Sequence, residues 1–214
     1  LYRIIDTLSY VIIPISVYCI FFSKDLVSIA FQRGAFDSTA TYLTSQVFIG
    51  YSAGMLFIGL RTIVSNVFYA FGDTKVTLYI TILGIFLNIG LNVLLFQYYG
   101  VVGLAYATSL SSAICHFIRL AMLKRFIRLD YKTLFFEMIK ALSTSVISVL
   151  IPFYICEYII SLNSFMSIVL SAIVTVVLYL LVGKLLHIQA QNEVIQMVKL
   201  KLLKAGKQNK SKCD

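Results

Sequence analysis

A stretch of 43 consecutive residues between Lys75 and Arg119 contains no aspartate, glutamate, lysine or arginine. A helix needs ~20 apolar residues to cross the ~30 Å hydrocarbon layer of a bilayer, so this stretch is long enough for two spans. Residues 98–100, together with Gly103, predict the turn between them. Strands are excluded, because no alternating pattern that could close into a barrel is present. The stretch therefore predicts two neighbouring antiparallel membrane helices.

The rest of the chain is almost as apolar. Of its 214 residues, 60% are hydrophobic and 13% are charged, and the mean hydropathy is +0.92. A soluble domain carries about twice that charged fraction, and a compact domain of ~200 residues still exposes roughly 30% of its chain surface. The composition excludes a cytosolic enzyme, a secreted disulfide module and a disordered tail. Further spans are predicted at residues 7–23, 38–71, 138–159 and 165–186, which makes the chain an all-α polytopic membrane protein with six transmembrane helices.

Basic residues are unevenly distributed among the predicted connections, and their positions predict the orientation of the spans. Two segments are rich in them: Lys124, Arg125, Arg128 and Lys132 follow the fourth span, and Lys199, Lys201, Lys204, Lys207, Lys210 and Lys212 lie in the C-terminal tail. The connections between spans three and four and between spans five and six have none. Lys24 and Arg33 fit the predicted orientation less well, since it places them on the outer side of the membrane. Both termini are predicted to be cytoplasmic.

The tail, residues 188–214, is predicted to be basic, amphipathic and cytoplasmic. Val194, Val198 and Leu202 recur at helical spacing, with lysines spread around the rest. Two interpretations stay open: a solvated stop after the last span, or an interfacial helix attracted to anionic lipid at ~1 kcal/mol per basic residue. Because the chain begins with Leu1, we expect it to be a fragment that starts inside a larger protein.

Arg61 is the only strong charge predicted to lie well inside a span. Twelve residues separate it from Asp73, which places it ~18 Å from the cytoplasmic end of its helix. Charged groups at membrane depth are costly and therefore point to function. One interpretation is an arginine that snorkels or faces the edge of a water-filled cavity. The other is a substrate contact in a central cavity, suited to phosphate because a guanidinium is permanently charged and bidentate.

Asn88 and Asn92 lie four residues apart and therefore share one helical face. Thr108 lies early in the next span, which the short glycine turn makes an antiparallel neighbour. Two amide oxygens and a hydroxyl between these helices could form part of an oxygen site for a hard cation such as sodium. The alternative is interhelical hydrogen bonding, worth ~0.6 kcal/mol per pair. From spacing alone the second interpretation is favoured.

No pattern typical of an enzyme is present in the sequence. It has no paired carboxylates on one helical face, no evident Ser/His/Asp set and no phosphate-cradling glycine loop after a strand. Small residues form two rows at four-residue spacing: Gly103, Ala107 and Ser111 in one, and Ala105, Ser109 and Ala113 in the other. Such rows let helices approach closely and indicate packing, not catalysis. We predict that the chain is not an enzyme.

Three segments occur in a recognisable order. Residues 31–37, FQRGAFD, follow the first predicted span; residues 68–75, FYAFGDTK, close the second; and residues 100–110, GVVGLAYATSL, open the fourth. Together they resemble the MurJ (MviN) family of lipid II flippases, in the MOP (MATE-like) exporter superfamily. The first two segments are fairly specific, and the third is shared more widely. The resemblance covers roughly residues 1–187 and would make the six spans the last six of the family's fourteen helices.

The resemblance implies a transporter with two six-helix lobes around a central cavity that opens alternately to the two sides. Residues 1–133 would contribute four transmembrane helices to the second lobe, and residues 134–187 would form a C-terminal helix pair with a groove for a lipid tail. The substrate would be lipid II, the undecaprenyl-diphosphate-linked peptidoglycan precursor, flipped across the bacterial cytoplasmic membrane for cell-wall biogenesis and cell shape. An ion gradient or the membrane potential would drive differential binding in two states.

The resemblance also implies partners and one ion site. The expected partners are the lipid-linked oligosaccharide substrate, membrane lipids and cell-wall synthesis proteins, with no nucleic acid. Some family members bind sodium through an asparagine and an aspartate four residues apart, then a backbone carbonyl and a threonine on the next helix. Here those positions are Asn88, Asn92, the Leu104 carbonyl and Thr108. Asn92 departs from the pattern because it supplies no negative charge, which leaves weakened sodium affinity or a polar remnant as the alternative. No other cofactor is expected.

Other functions remain open from the sequence. An exporter of the same superfamily could move another cargo, as a polysaccharide-repeat flippase or a drug/cation antiporter. A drug antiporter would normally stop at twelve helices, so the apolar fifth and sixth spans count against it. A structural membrane scaffold of the cell-wall machinery is a further alternative, although it would not need Arg61 or the two asparagines inside the membrane.

Overall fold

The computed structural model describes residues 1–34, 36–127, 130–158, 164–186, 188, 190–194 and 196. Within them the chain forms seven helices: α1 (Tyr2–Phe21), α2 (Ser23–Phe31), α3 (Ser38–Ala70), α4 (Thr74–Tyr99), α5 (Val101–Leu123), α6 (Tyr131–Tyr158) and α7 (Ser164–Leu185). All except α2 are long and apolar enough to cross a membrane. The prediction of six transmembrane helices is therefore confirmed.

The connection after the first span is more ordered than the sequence indicated. Residues 23–31 form the nine-residue helix α2, which begins directly after α1 and packs against α3 and α7. Its apolar face includes Val27, which is buried. The charges at Lys24 and Asp25 mark the end of the apolar run, and nine residues cannot span a bilayer. The charge pattern alone could not distinguish a loop from a short amphipathic helix.

Capping side chains and glycine turns mark the ends of α3, α4 and α5. The Asp37 carboxylate accepts from the Ala40 N–H at 2.8 Å at the start of α3, and the Asp73 carboxylate accepts from the Val76 N–H at 3.2 Å at the start of α4. Gly72 and Gly100 adopt φ of +77° and +57°, which L side chains rarely tolerate. Gly100 alone separates α4 from α5, so the predicted turn between the third and fourth spans is confirmed.

Five helix termini lie together at one end of the bundle, which we call the basic end. They are the start of α1, the end of α3 and the start of α4 on either side of the turn at residues 71–73, the end of α5 and the start of α6. The described basic residues of this end are Arg3, Lys75, Lys124, Arg125 and Lys132. A buried apolar cluster joins α1, α3, α5 and α6 beneath these charges, formed by Ile5, Leu60, Val64, Phe68, Leu123 and Leu134. Along the bundle, α5 contacts α3 and α4, α1 contacts α3 and α6, and α6 contacts α7.

A close helix contact joins α3 to α5. A Cβ atom at Gly50 would lie 2.7 Å from the Cβ of Ala105, and one at Gly54 would lie 2.7 Å from the Cα of Ser109. The Ser109 hydroxyl donates to the Gly50 carbonyl at 2.6 Å. The predicted row of Ala105 and Ser109 is thus confirmed as a packing face, opposite two glycines that let the backbones approach.

The last two helices pack on the others through aromatic rings. Phe153 of α6 contacts the rings of Phe21 and Phe22 at the far end of α1. On α7, the Tyr179 hydroxyl donates to the Tyr10 carbonyl of α1 at 2.9 Å. The α6–α7 pair, which corresponds to the predicted segment 134–187, is therefore anchored to α1.

Part of the predicted tail folds back onto the bundle. Ile188 and Ala190 are buried with Tyr10 and Tyr179, and the Gln191 amide donates to the Leu180 carbonyl at 2.7 Å. Arg3 pairs with Glu193 at 3.2 Å. Arg128 and residues 197–214, with the tail lysines, lie outside the described residues.

We predict that Gly54→Ala destabilises the fold by about 1–3 kcal/mol, because the added methyl group meets the backbone of α5 and overpacks the contact. Gly90→Ala is the matched control. The described residues leave open space around Gly90, so alanine should be neutral or stabilise α4 by up to about 1 kcal/mol. Thermal unfolding of both variants in detergent measures the difference, and equal midpoints would contradict the packing argument.

Candidate functional site

Polar side chains of three helices meet in one cavity inside the bundle. The cavity has a volume of about 250 Å³ and lies between α3, α4 and α5. Its polar lining consists of Arg61, Thr81, Asn88, Thr108, Ser111, Ser112 and Arg119. The structure thus brings Arg61, Asn88 and Thr108, which the sequence singled out separately, to the lining of one cavity.

Arg61 enters the cavity from α3 with its side chain exposed. It lies nine residues before the end of α3 at Ala70, at membrane depth. Within the described residues no carboxylate pairs with it, since the ion pairs found there join Arg3 to Glu193 and Lys140 to Glu137. Its charge is therefore available to an anion in the cavity.

Arg119 is a second cavity arginine, which the sequence reasoning missed. It lies one turn before the end of α5 and is only 2% exposed. Its Nη2 donates to the Thr81 hydroxyl at 3.3 Å, whereas its buried Nε and Nη1 have no hydrogen-bond partner in the described part of the chain. A buried cation without a counter-ion is costly, so this side chain is a strong indication of a binding site.

Thr81 holds Arg119 in place through a relay of hydrogen bonds. Its hydroxyl donates to the Thr77 carbonyl at 2.8 Å, one turn earlier on α4, and its oxygen accepts from Arg119. The hydroxyl hydrogen is thereby directed along α4, which leaves the lone pairs facing the guanidinium. The arrangement fixes one end of Arg119, while its buried Nε and Nη1 groups have no acceptor in the described part of the chain.

Asn88 and Thr108 form the other half of the lining, and Asn92 lies one turn further along α4, next to Asn88. Asn88 Nδ2 donates to Thr108 Oγ1 at 3.3 Å and to Ser111 Oγ at 3.2 Å, across α4 and α5. Asn92 Nδ2 donates to Asn88 Oδ1 at 3.0 Å, and Thr108 Oγ1 donates to the Leu104 carbonyl at 2.9 Å. These side chains meet as their spacing predicted. The two bonds that Asn88 makes to α5 are interhelical, as in the simpler interpretation, and the other two lie within α4 and within α5.

The ligand atoms that these residues offer are oxygens, as a sodium ion prefers, but none of them carries a negative charge. Asn92 Oδ1 is buried and lacks a partner among the described residues, so one oxygen is free for a ligand. Hard cations prefer several oxygen ligands, usually with carboxylates among them. The described residues contain no group of three or more His, Cys, Asp or Glu side chains that could hold a metal. Arg61 and Arg119 line the same cavity and would oppose a cation.

Two other features lie outside this cavity. At the basic end, Glu137 is 6% exposed and pairs with Lys140 at 2.8 Å, so these charges form a partly buried ion pair of α6. Between α1 and α7, an apolar groove of about 350 Å³ is lined by residues such as Tyr10, Pro14 and Val176.

The comparisons with known proteins agree with one another. The family model described as "Lipid II flippase MurJ" matches residues 1–181. The lipid II flippase MurJ of Thermosipho africanus is 31% identical over 110 residues, which is 51% of this chain and 23% of that protein. A probable lipid II flippase MurJ of Helicobacter pylori is 37% identical over 101 residues, 47% of this chain and 22% of that protein.

A solved structure has the same fold. It is described as "Lipid II flippase MurJ, inward closed conformation" and superposes with a TM-score of 0.69 at 24% sequence identity. The match covers 86% of this chain and 37% of that one. The chain therefore spans between about a fifth and somewhat more than a third of the length of these proteins.

We predict that Thr81→Val destabilises the protein by about 1 kcal/mol, because it removes the hydrogen-bond acceptor of the buried Arg119 guanidinium. Thr77→Val is the matched control one turn away. The Thr77 hydroxyl is buried with no partner among the described residues, so valine should be neutral or stabilising there. Thermal unfolding distinguishes the two, and a larger loss at Thr77 would contradict this account of Arg119.

Proposed function

Because the chain belongs to the lipid II flippase MurJ family, we propose that it forms part of a transporter that flips the lipid-linked peptidoglycan precursor across the bacterial cytoplasmic membrane. The family match over residues 1–181 and the six transmembrane helices make it a multi-pass membrane protein. The chain covers only a part of its relatives, so transport is proposed for the intact protein that contains it.

The arginine-lined cavity is the observation that carries this proposal. Lipid II is linked through a diphosphate, and a guanidinium binds phosphate oxygens with a permanent charge and a planar fork. Arg61 offers an exposed guanidinium at membrane depth, in a cavity lined by hydroxyl and amide groups. Transport then needs no covalent chemistry. The cavity must bind the diphosphate with different affinity in two conformations, and that difference drives the exchange between them.

The packing supports different roles for two parts of the chain. We propose that α1 and α3–α5 belong to the transport lobe, as expected for residues 1–133, and that α6 and α7 form a pair that holds the lipid tail. On the α7 side of this pair, α7 and α1 line an apolar groove, which has the chemistry that an isoprenoid chain requires. The tail after residue 188 would be cytoplasmic, and the basic end of the bundle would face the cytoplasm under the positive-inside rule. Cell-wall synthesis proteins are the proposed protein partners.

We predict that Arg61→Ala lowers flipping by tenfold or more while leaving protein abundance nearly unchanged, because it removes a charged contact worth about 1.5–3 kcal/mol. Arg125→Ala removes a charge outside the cavity lining and should keep normal activity. A flipping assay in proteoliposomes with the intact protein, paired with quantitative immunoblotting, measures both. Equal losses of flipping and abundance would indicate a folding role. Normal flipping of another lipid-linked saccharide instead of lipid II would favour a polysaccharide-repeat flippase.

A sodium ion at Asn88, Asn92, Thr108 and the Leu104 carbonyl is a second proposal. It is supported by the buried, unpartnered Oδ1 of Asn92, and weakened by the two arginines of the same cavity. With neutral ligands alone the affinity should be low, since no carboxylate offsets the dehydration of the ion.

For this site we predict that Asn92→Asp lowers the sodium concentration needed for half-maximal thermal stabilisation, because it adds the missing negative charge. The double variant Asn88→Ala/Thr108→Ala should abolish the sodium response of both stability and transport. Choline chloride at equal ionic strength is the control salt. A sodium response that is unchanged in both variants would rule out this site.

A further inference from the structure

We propose that Arg119, positioned by Thr81 and joined by Arg61, forms a subsite in this lobe for a phosphate or diphosphate group. The subsite lies in the α3–α4–α5 cavity, towards the end that α5 reaches at Leu123. Arg119 is one turn from that end and Thr81 is seven residues into α4, so the subsite lies ~6–10 Å from the helix ends. This inference rests on the proposed function only for the identity of the ligand.

The first argument is the charge balance of the cavity. Two guanidinium groups line it, and among the residues that the structure describes no carboxylate joins its lining. The carboxylates that form ion pairs there are Glu193, which follows α7 and binds Arg3, and Glu137 of α6, which binds Lys140. Like charges in a low-dielectric space repel each other, and an anion between them converts the repulsion into two attractions. The cavity is therefore selective for negative ligands.

The second argument is the set of free donors on Arg119. A guanidinium has five N–H donors, and the hydrogen bond to Thr81 uses only the Nη2 group. The Nε and Nη1 groups are buried, and the described residues provide no acceptor for them. Leaving such donors unsatisfied is unfavourable, whereas a phosphate oxygen accepts charge-assisted hydrogen bonds from them.

The third argument is rigidity. Arg119 is 2% exposed and is held by Thr81, which is itself oriented by the Thr77 carbonyl. A side chain that is already fixed loses little conformational freedom when the ligand binds. Arg61 is exposed and free to adjust to the same anion. The cavity of about 250 Å³ exceeds the ~30 Å³ share of a water molecule several-fold, so a phosphate group fits with water around it.

The test measures thermal unfolding of the intact protein in phosphatidylcholine nanodiscs, titrated with inorganic pyrophosphate against sodium chloride at equal ionic strength. Pyrophosphate should raise the midpoint in a saturable manner. Arg119→Met should weaken the apparent affinity for pyrophosphate by about tenfold or more, and Thr81→Val by a smaller factor. Arg125→Met, which removes a charge just beyond α5 and outside the cavity lining, should leave the affinity unchanged.

Two results would overturn the subsite: no pyrophosphate-dependent shift in the unmodified protein, or the same affinity in Arg119→Met as in Arg125→Met. The second result would mean that another group of the intact protein neutralises Arg119. If Arg119→Met does not yield folded protein, Arg119→Lys takes its place, since it keeps the charge and loses the planar fork. It should still weaken binding several-fold, and unchanged affinity would overturn the proposal.

Competition distinguishes the sources of the phosphate group. Undecaprenyl diphosphate in the nanodisc should displace pyrophosphate from the unmodified protein and fail to do so from Arg119→Met, which assigns the subsite to a lipid-linked diphosphate. Displacement by phosphatidylglycerol would assign it to a membrane headgroup, and displacement by neither would assign it to free phosphate. All three results support the subsite. Absence of lipid II flipping with intact pyrophosphate binding would refute the proposed function alone.

Discussion

The close contact between α3 and α5 determines the geometry of the polar cavity. Gly50 and Gly54 let the α3 backbone approach Ala105 and Ser109 of α5, and the Ser109 hydroxyl locks the contact by a hydrogen bond to the Gly50 carbonyl. Larger residues would force the helices apart, since packed interiors do not absorb an added methyl group easily. The same two helices carry Arg61 and Arg119. The separation of the helices therefore determines how close these two positive charges lie in the cavity. Packing and charge are linked at this interface.

The polar groups of the cavity divide into a satisfied half and an unsatisfied half. Near the middle of the span, Asn88, Thr108 and Ser111 bond to one another across α4 and α5, as neutral groups in a low-dielectric setting should. Near the end of α5, Arg119 has one hydrogen bond and two nitrogen groups without partners in the described part of the chain. The satisfied half stabilises the helix pair. The unsatisfied half is where a ligand gains the most from binding.

Much of this arrangement could be predicted from the sequence. Span positions follow from apolar length, and the turn at Gly100 and the four-residue spacing of Asn88 and Asn92 predict the face shared with Thr108. Arg119 could not be recognised, because it ends the charge-free stretch and looks like a boundary residue. Its burial depends on how α4 and α5 rotate against each other, and a single sequence does not contain that angle. For α2, nine residues gave too short a pattern to distinguish a helix from a loop.

If the intact protein is the flippase proposed above, the charge of the cavity limits how it can work. Two guanidinium groups in a closed cavity would repel each other, and closure without an anion would be unfavourable. A bound phosphate group would remove that cost and favour closure around the substrate. Once the anion left, the repulsion would return and favour reopening to water. On this proposal, differential affinity between the states follows from the arginines themselves, without a separate switch. A cation at Asn88 and Thr108 would add to the repulsion, because these side chains line the same cavity as the arginines, so sodium and the anion would not bind independently.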